Sequence, residues 1–140
     1  MKLVLDANII FSCLMSGKKL YIELLTQNQC FSPDFIFDEI KKYEDRILKK
    51  VGCDVNFKEY TREIFSHLAV IPKLAIGSQS WERAFELCKD IDENDTPYVA
   101  LAIELDFPLL TRDKQLFKGL KKKRFDNVLL FEKILEYMDK

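Results

Sequence analysis

Short apolar runs alternate with amphipathic stretches along this chain. Leu3-Val4-Leu5 is closed by the turn-capable Asp6-Ala7-Asn8. The run is too short for periodicity to assign, but its length and its ending favour a buried strand. A helix is expected from about Asn8 to Met15, stopped at Ser16-Gly17, and another over Lys18 to Gln27 on the stripe Leu20, Tyr21, Leu24 and Leu25. Cys30-Phe31-Ser32 reads as a second strand, ended by Pro33. Asp34 is then positioned to cap a helix running to about Lys50, its stripe formed by Phe35, Ile36, Ile40, Tyr43, Ile47 and Leu48, with a break at Val51-Gly52.

The same alternation continues to the end. A helix over Phe57 to His67 precedes a third strand, Leu68-Ala69-Val70-Ile71, stopped by Pro72. Trp81, Ala84, Phe85 and Cys88 have helical spacing and lead into a polar segment, Asp90 to Asp95. Tyr98, Leu101, Ala102 and Leu105 mark the next helix, with Pro97 in its first turn, where a missing N–H costs little. Pro108 to Thr111 is a fourth strand ended by Arg112-Asp113; Val128-Leu129-Leu130 is a fifth, and Phe131 to Met138 a terminal helix. This order predicts an α/β fold with a central parallel sheet covered by helices on both faces. With 140 residues and no linker or repeat, residues 1–140 are expected to form one domain. In such folds ligands bind beyond the carboxyl ends of the strands, where strand order reverses.

Composition narrows the partners. The hydrophobic share of 48% and charged share of 32% suit a soluble globule, and no stretch approaches the ~20 apolar residues of a membrane span. Asp6 and Asn8 interrupt the apolar start, and no cleavage site follows, so a cytoplasmic protein without a membrane partner is expected. Cys13, Cys30, Cys53 and Cys88 are dispersed and His67 stands alone, which argues against zinc and for reduced thiols. The net charge of −1 lacks the basic surplus of many nucleic-acid binders. The candidate basic patch is Lys121-Lys122-Lys123-Arg124, with Lys41, Lys42, Lys49 and Lys50 as outliers. It reads either as a phosphate-attracting surface or as a solvated loop before the fifth strand. Phe125 beside it reads as core rather than a base-stacking ring, and there is no glycine-rich nucleotide loop.

The acids carry the chemistry. Asp6 ends strand one, Asp113 follows strand four, Asp95 opens the helix before strand four, and Glu39 lies early in the helix after strand two. Taken singly each has a structural reading: a helix cap for Asp6 and Asp95, a solvated helix position for Glu39, a turn for Asp113. Taken together they fall at one edge of the predicted sheet. Carboxylates so gathered repel one another unless a hard divalent cation such as Mg²⁺ or Mn²⁺ sits among them. Such an ion would support attack of water on a phosphodiester. A receiver-type signalling domain would instead need an acid closing strand three, where Ile71-Pro72-Lys73 stands.

Four blocks resemble the PIN-domain family: Leu3-Val4-Leu5-Asp6-Ala7-Asn8, Ser32 to Ile40 around Glu39, Asp95 to Ala102, and Leu109 to Lys114 with its Thr111-Arg112-Asp113. The resemblance implies a Rossmann-like α/β/α sandwich and a metal-dependent ribonuclease acting on single-stranded RNA, as in VapC-type toxins. Asp6, Glu39, Asp95 and Asp113 would be its catalytic, metal-binding residues. Asn8 and Thr111 match supporting positions, and Asp92 is a possible additional acid. An antitoxin protein and a homodimer are partners the family brings with it. The alternative is a catalytically silent module on the same fold that binds RNA or protein.

Overall fold

The computed structural model describes residues 1–51 and 55–138. Its sheet is built from β1 (Lys2–Leu5), β2 (Gln29–Pro33), β3 (Leu68–Ile71), β4 (Leu109–Thr111) and β5 (Val128–Leu130). The strands lie in the order β3-β2-β1-β4-β5, and every neighbouring pair is parallel. Each predicted strand is present. The chain moves outward from β1 to β3, then crosses back to place β4 on the other side of β1. Strand order therefore reverses between β1 and β4, which opens a crevice at their carboxyl ends.

The strands are short and buried on both faces, which is why they read as apolar runs rather than as alternating patterns. On one face Leu3, Leu5 and Leu110 pack against α1 (Ala7–Ser16), α2 (Lys19–Gln27), α5 (Val55–Ser66) and α9 (Phe131–Met138). On the other, Val4, Leu109 and Val128 pack against α6 (Ser78–Cys88), α7 (Thr96–Leu105) and α8 (Lys114–Lys122). The predicted α/β/α layering is thus present. Gly17 ends α1 with φ 65°, the left-handed conformation that a helix C-terminus uses and glycine adopts without steric cost.

Three local expectations change. The helix expected from residue 34 to 50 is two, α3 (Phe35–Lys42) and α4 (Glu44–Val51), separated at Tyr43, where φ is −105° and ψ 13°. The Tyr43 ring packs edge-on against Phe11, centroids 5.7 Å apart, and long-range packing of this kind leaves no mark in the local sequence. Charge does leave one: Lys41-Lys42 end α3 and Glu44-Asp45 begin α4, as helix dipoles favour. Gly52, the expected breaker, lies outside the described residues, as does Cys53.

Asp34 does not cap α3. Its backbone is helical, and its carboxylate accepts instead from the Lys73 N–H at 3.3 Å. Finally, the run before β5 is a loop only in part: Lys121 and Lys122 close a helix, and Lys123 and Arg124 form the turn after it. Leu116 and Leu120, one turn apart, bury the inner face of α8, which carries Lys121 and Lys122 in its last turn. The dense lysines concealed that stripe. Cys13, Cys30 and Cys88 are free and buried, and burial pushes each thiol up to about 12. Among the described residues no helix is long and apolar enough to cross a membrane.

Candidate active site

The acids converge at the crevice between β1 and β4. Asp6 leaves β1 with its carboxylate almost fully buried and both oxygens engaged. Oδ1 accepts from the Ile9 N–H at 2.9 Å and caps α1, while Oδ2 accepts a short hydrogen bond from the Thr111 hydroxyl. Thr111, buried at the end of β4, also accepts from the Asp113 N–H at 3.0 Å. One hydroxyl thus ties the acid after β1 to the acid after β4. Asp113 Oδ1 accepts from the Gln115 and Leu116 N–H groups at 2.9 and 3.0 Å and caps α8.

Asp95 behaves differently. It stands at the N-terminus of α7, where a carboxylate ordinarily caps, yet it makes no capping hydrogen bond. Its Oδ2 is buried without a partner among the described residues. Burial pushes its carboxyl up to about 7, and the charges of Asp92, Asp6, Asp113 and Glu39 add to the rise. A carboxylate that accepts nothing and is crowded by like charges is costly in a folded chain.

Glu39 comes from the middle of α3. Burial raises its carboxyl above the usual range, and the neighbouring Tyr98 hydroxyl and Lys42 oppose that rise. The Tyr98 hydroxyl is itself buried and lies close to Glu39 without full hydrogen-bond geometry. Burial likewise pushes Asp6 up to about 6, against the hydrogen bonds from Thr111 and Ile9 that favour its charged form.

Glu39, Asp92, Asp95 and Asp113 line one cleft of about 320 Å³, and Asn8 stands at its wall. Asp6 is the buried acid behind it, within electrostatic reach of Asp95, Asp113 and Glu39. Asp92 caps the short 3-10 turn Glu93–Asp95 by accepting from the Asn94 N–H at 3.0 Å. The sequence-predicted acids and both supporting residues are therefore brought together.

Lys121-Lys122-Lys123-Arg124 is not brought to them. Asn127 pairs with Leu109 at the start of β4, so the end of α8 lies at the opposite edge of the sheet. There Lys123 donates to the Leu87 carbonyl at 2.9 Å and pairs closely with Asp90, and Lys121 reaches the Asp126 carbonyl at 3.3 Å. Phe125 is buried, as core. Lys42 acts on Glu39 and Arg112 on Asp6, and among the described residues the cation that lines the acidic cleft itself is Arg46 of α4. Sequence reasoning missed it together with Tyr98, which its spacing marked only as part of an apolar stripe.

An all-oxygen donor set, uncompensated charge and an orphaned buried carboxylate oxygen fit a hard divalent cation in chemistry. Among the described residues, however, no three such side chains stand at a spacing that would hold an ion as they are. The carboxylates would have to draw inward to close around one.

Fold and site define an α/β/α protein with an acidic crevice at its topological switch point. A family model described as the PIN domain matches residues 4–132, so the chain belongs to the PIN-domain family. The fold is similar to that of two solved structures. One is VapBC2 from Rickettsia felis bound to a DNA fragment from its promoter (19% identity, 93% of this chain and 97% of that chain, TM-score 0.62). Another is a toxin–antitoxin complex from Klebsiella pneumoniae (20% identity, 90% and 94%, TM-score 0.61). No curated protein sequence matches the chain.

Proposed function

We propose that this chain is a divalent-metal-dependent endoribonuclease that cleaves phosphodiester bonds of single-stranded RNA and serves as the toxin of a toxin–antitoxin pair. The observation that carries the reading is Asp95: a helix-opening acid that neither caps nor finds a partner among the described residues, raised to about 7 beside four other acids. Family membership supports the nuclease class, and likeness to toxin–antitoxin structures supports an antitoxin partner.

Asp6, Glu39, Asp95 and Asp113 are the residues that would hold Mg²⁺ or Mn²⁺. When bound, such an ion neutralises phosphate charge and acidifies a water. Thr111 keeps the Asp6 carboxylate aimed at the crevice by donating to it, leaving its other oxygen on α1. The Tyr98 hydroxyl beside Glu39 would donate to it once the carboxylate draws in around an ion. Asp92, exposed and lining the same cleft, would take the proton of the attacking water. Asn8 offers an amide at the cleft wall to orient that water or the phosphate.

The purified chain is expected to cut single-stranded RNA with Mg²⁺ or Mn²⁺ and to stop in EDTA, and Asp6→Asn to lower the rate about 10³-fold. Cleavage undiminished in EDTA would overturn the reading. The second reading, a silent RNA- or protein-binding module, draws on the spacing of the carboxylates. It predicts no Mn²⁺ uptake at millimolar concentration by isothermal titration.

A further inference from the structure

The acidic cleft continues into a second cavity that the proposed chemistry does not use. Phe35, Asp38, Glu39 and Lys42 recur at helical spacing on one face of α3, and Tyr43 follows at its end. Glu39 and Tyr43 line the acidic cleft; all five, with Asn94, line the next recess. Phe35 and Asp38 then line a larger cavity of about 600 Å³. Shared walls make the three spaces neighbours along α3, a line we read as one groove, and Phe35 to Lys42 spans about 10 Å of helix axis.

The far cavity has an aromatic and apolar floor of Phe35, Ile76, Trp81 and Pro97. Its rim carries two carboxylates, Asp34 and Asp38, and the amine of Lys73, which lies 5.9 Å from the Trp81 ring centroid. Flat rings beside cations are what an unstacked base and its phosphate need. A carboxylate only accepts hydrogen bonds, so it selects a base edge that donates. Guanine is the base whose Watson–Crick edge offers two adjacent donors, N1–H and the exocyclic amine. Phe35 also packs edge-on against Tyr98, centroids 6.4 Å apart, and so joins this cavity to the acid Glu39.

We propose that this cavity is a guanine subsite: a base close to the scissile bond stacks on Trp81 and Phe35 and donates to Asp38, while Lys73 holds a phosphate. The proposal deepens the nuclease reading and rests on it for the identity of the strand, but its binding test does not need cleavage.

Trp81 is the chain's one tryptophan, so its fluorescence reports on the cavity directly. Titration of the full chain with GMP is expected to quench it saturably, at about 10-fold lower concentration than UMP. Asp38→Ala, an exposed substitution, is expected to erase that difference while leaving quenching by UMP. Equal or unsaturable quenching by both nucleotides overturns the subsite, as does an unchanged GMP preference in Asp38→Ala. In cleavage, Asp38→Ala is expected to cost about 10-fold in kcat/KM on a guanine-containing hexamer and nothing on oligouridine, whereas Asp6→Asn costs both. If the parent chain cuts neither oligomer while GMP still quenches selectively, the nuclease reading fails and the subsite stands.

Discussion

At the carboxyl edge of the sheet, Asp6, Glu39, Asp92, Asp95 and Asp113 crowd one crevice, and a buried oxygen of Asp95 has no partner among the described residues. At the opposite edge, Lys121 and Lys123 are just as dense in charge, yet each is drawn to a carbonyl and an acid beside it. The contrast separates charge that the fold has settled from charge it leaves unsettled. A pair such as Lys123–Asp90 stands at the surface and contributes little to stability. The carboxyl edge costs stability, and a fold keeps such a cost where it serves a ligand.

The sharpest way to break the comparison is Asp95→Asn. Removing this charge takes away the repulsion with its neighbours, and an amide is cheaper to bury than a carboxylate. The variant is expected to lose about 10³-fold in metal-dependent cleavage and yet unfold later than the parent in EDTA, by about 1–2 kcal/mol. Activity assays beside thermal unfolding read both signs. A variant that is both inactive and less stable would show that Asp95 supports the fold, and the contrast between the edges would collapse.

Acidity offers a second, smaller test. Asp6 is raised to about 6 and Asp95 to about 7, and Glu39 is raised as well. An acid with a raised folded pKa binds its proton more tightly in the folded state. Its contribution is complete below the unfolded value near 4 and is lost as pH rises through the folded value. Metal-free protein is therefore expected to lose stability between pH 4.5 and 7.5. The loss is on the order of 3 kcal/mol, since acids that raise one another do not add fully. Asp90, lowered by Lys123, works in the opposite direction but stands exposed. Urea unfolding in EDTA at both pH values measures the slope, and millimolar Mg²⁺ should flatten it. Stability that holds or rises over this window would mean the acids are not crowded.

How much of this could be read from residues alone differs between the layers. The strands were legible because burial on both faces turns them into apolar runs, and Pro33, Pro72 and Asp6 mark their ends. Asp6, Glu39, Asp95 and Asp113 were legible through their place in the element order. What failed depended on partners distant in sequence. At Tyr43 only the charges on either side hint at a break, and the Phe11 ring that attends it comes from α1. Asp34 has the look of a cap but is taken by Lys73, 39 residues away. Asp95 also looked like a cap, and only the fold reveals that it does not act as one. The lysines of α8 hid a buried stripe because that stripe rests on Leu116 and Leu120 amid four lysines.

Salt dependence gives the finest test of the comparison. A cation that contacts phosphate releases a counterion, so on single strands each such contact contributes about 0.7 to the slope of log K against log salt. Arg46 at the acidic cleft and Lys42 and Lys73 along the groove are placed for such contacts. Alanine at any of them is expected to flatten that slope by about 0.7. Lys121→Ala with Lys122→Ala, at the far edge, is expected to leave the slope unchanged and cleavage within about twofold, because neither lysine lines the groove. Fluorescence anisotropy with a labelled oligouridine across a salt series separates the two sets. If the far lysines flatten the slope as Arg46 does, the strand runs over both edges, and the basic run at Lys121–Arg124 is part of the RNA surface after all.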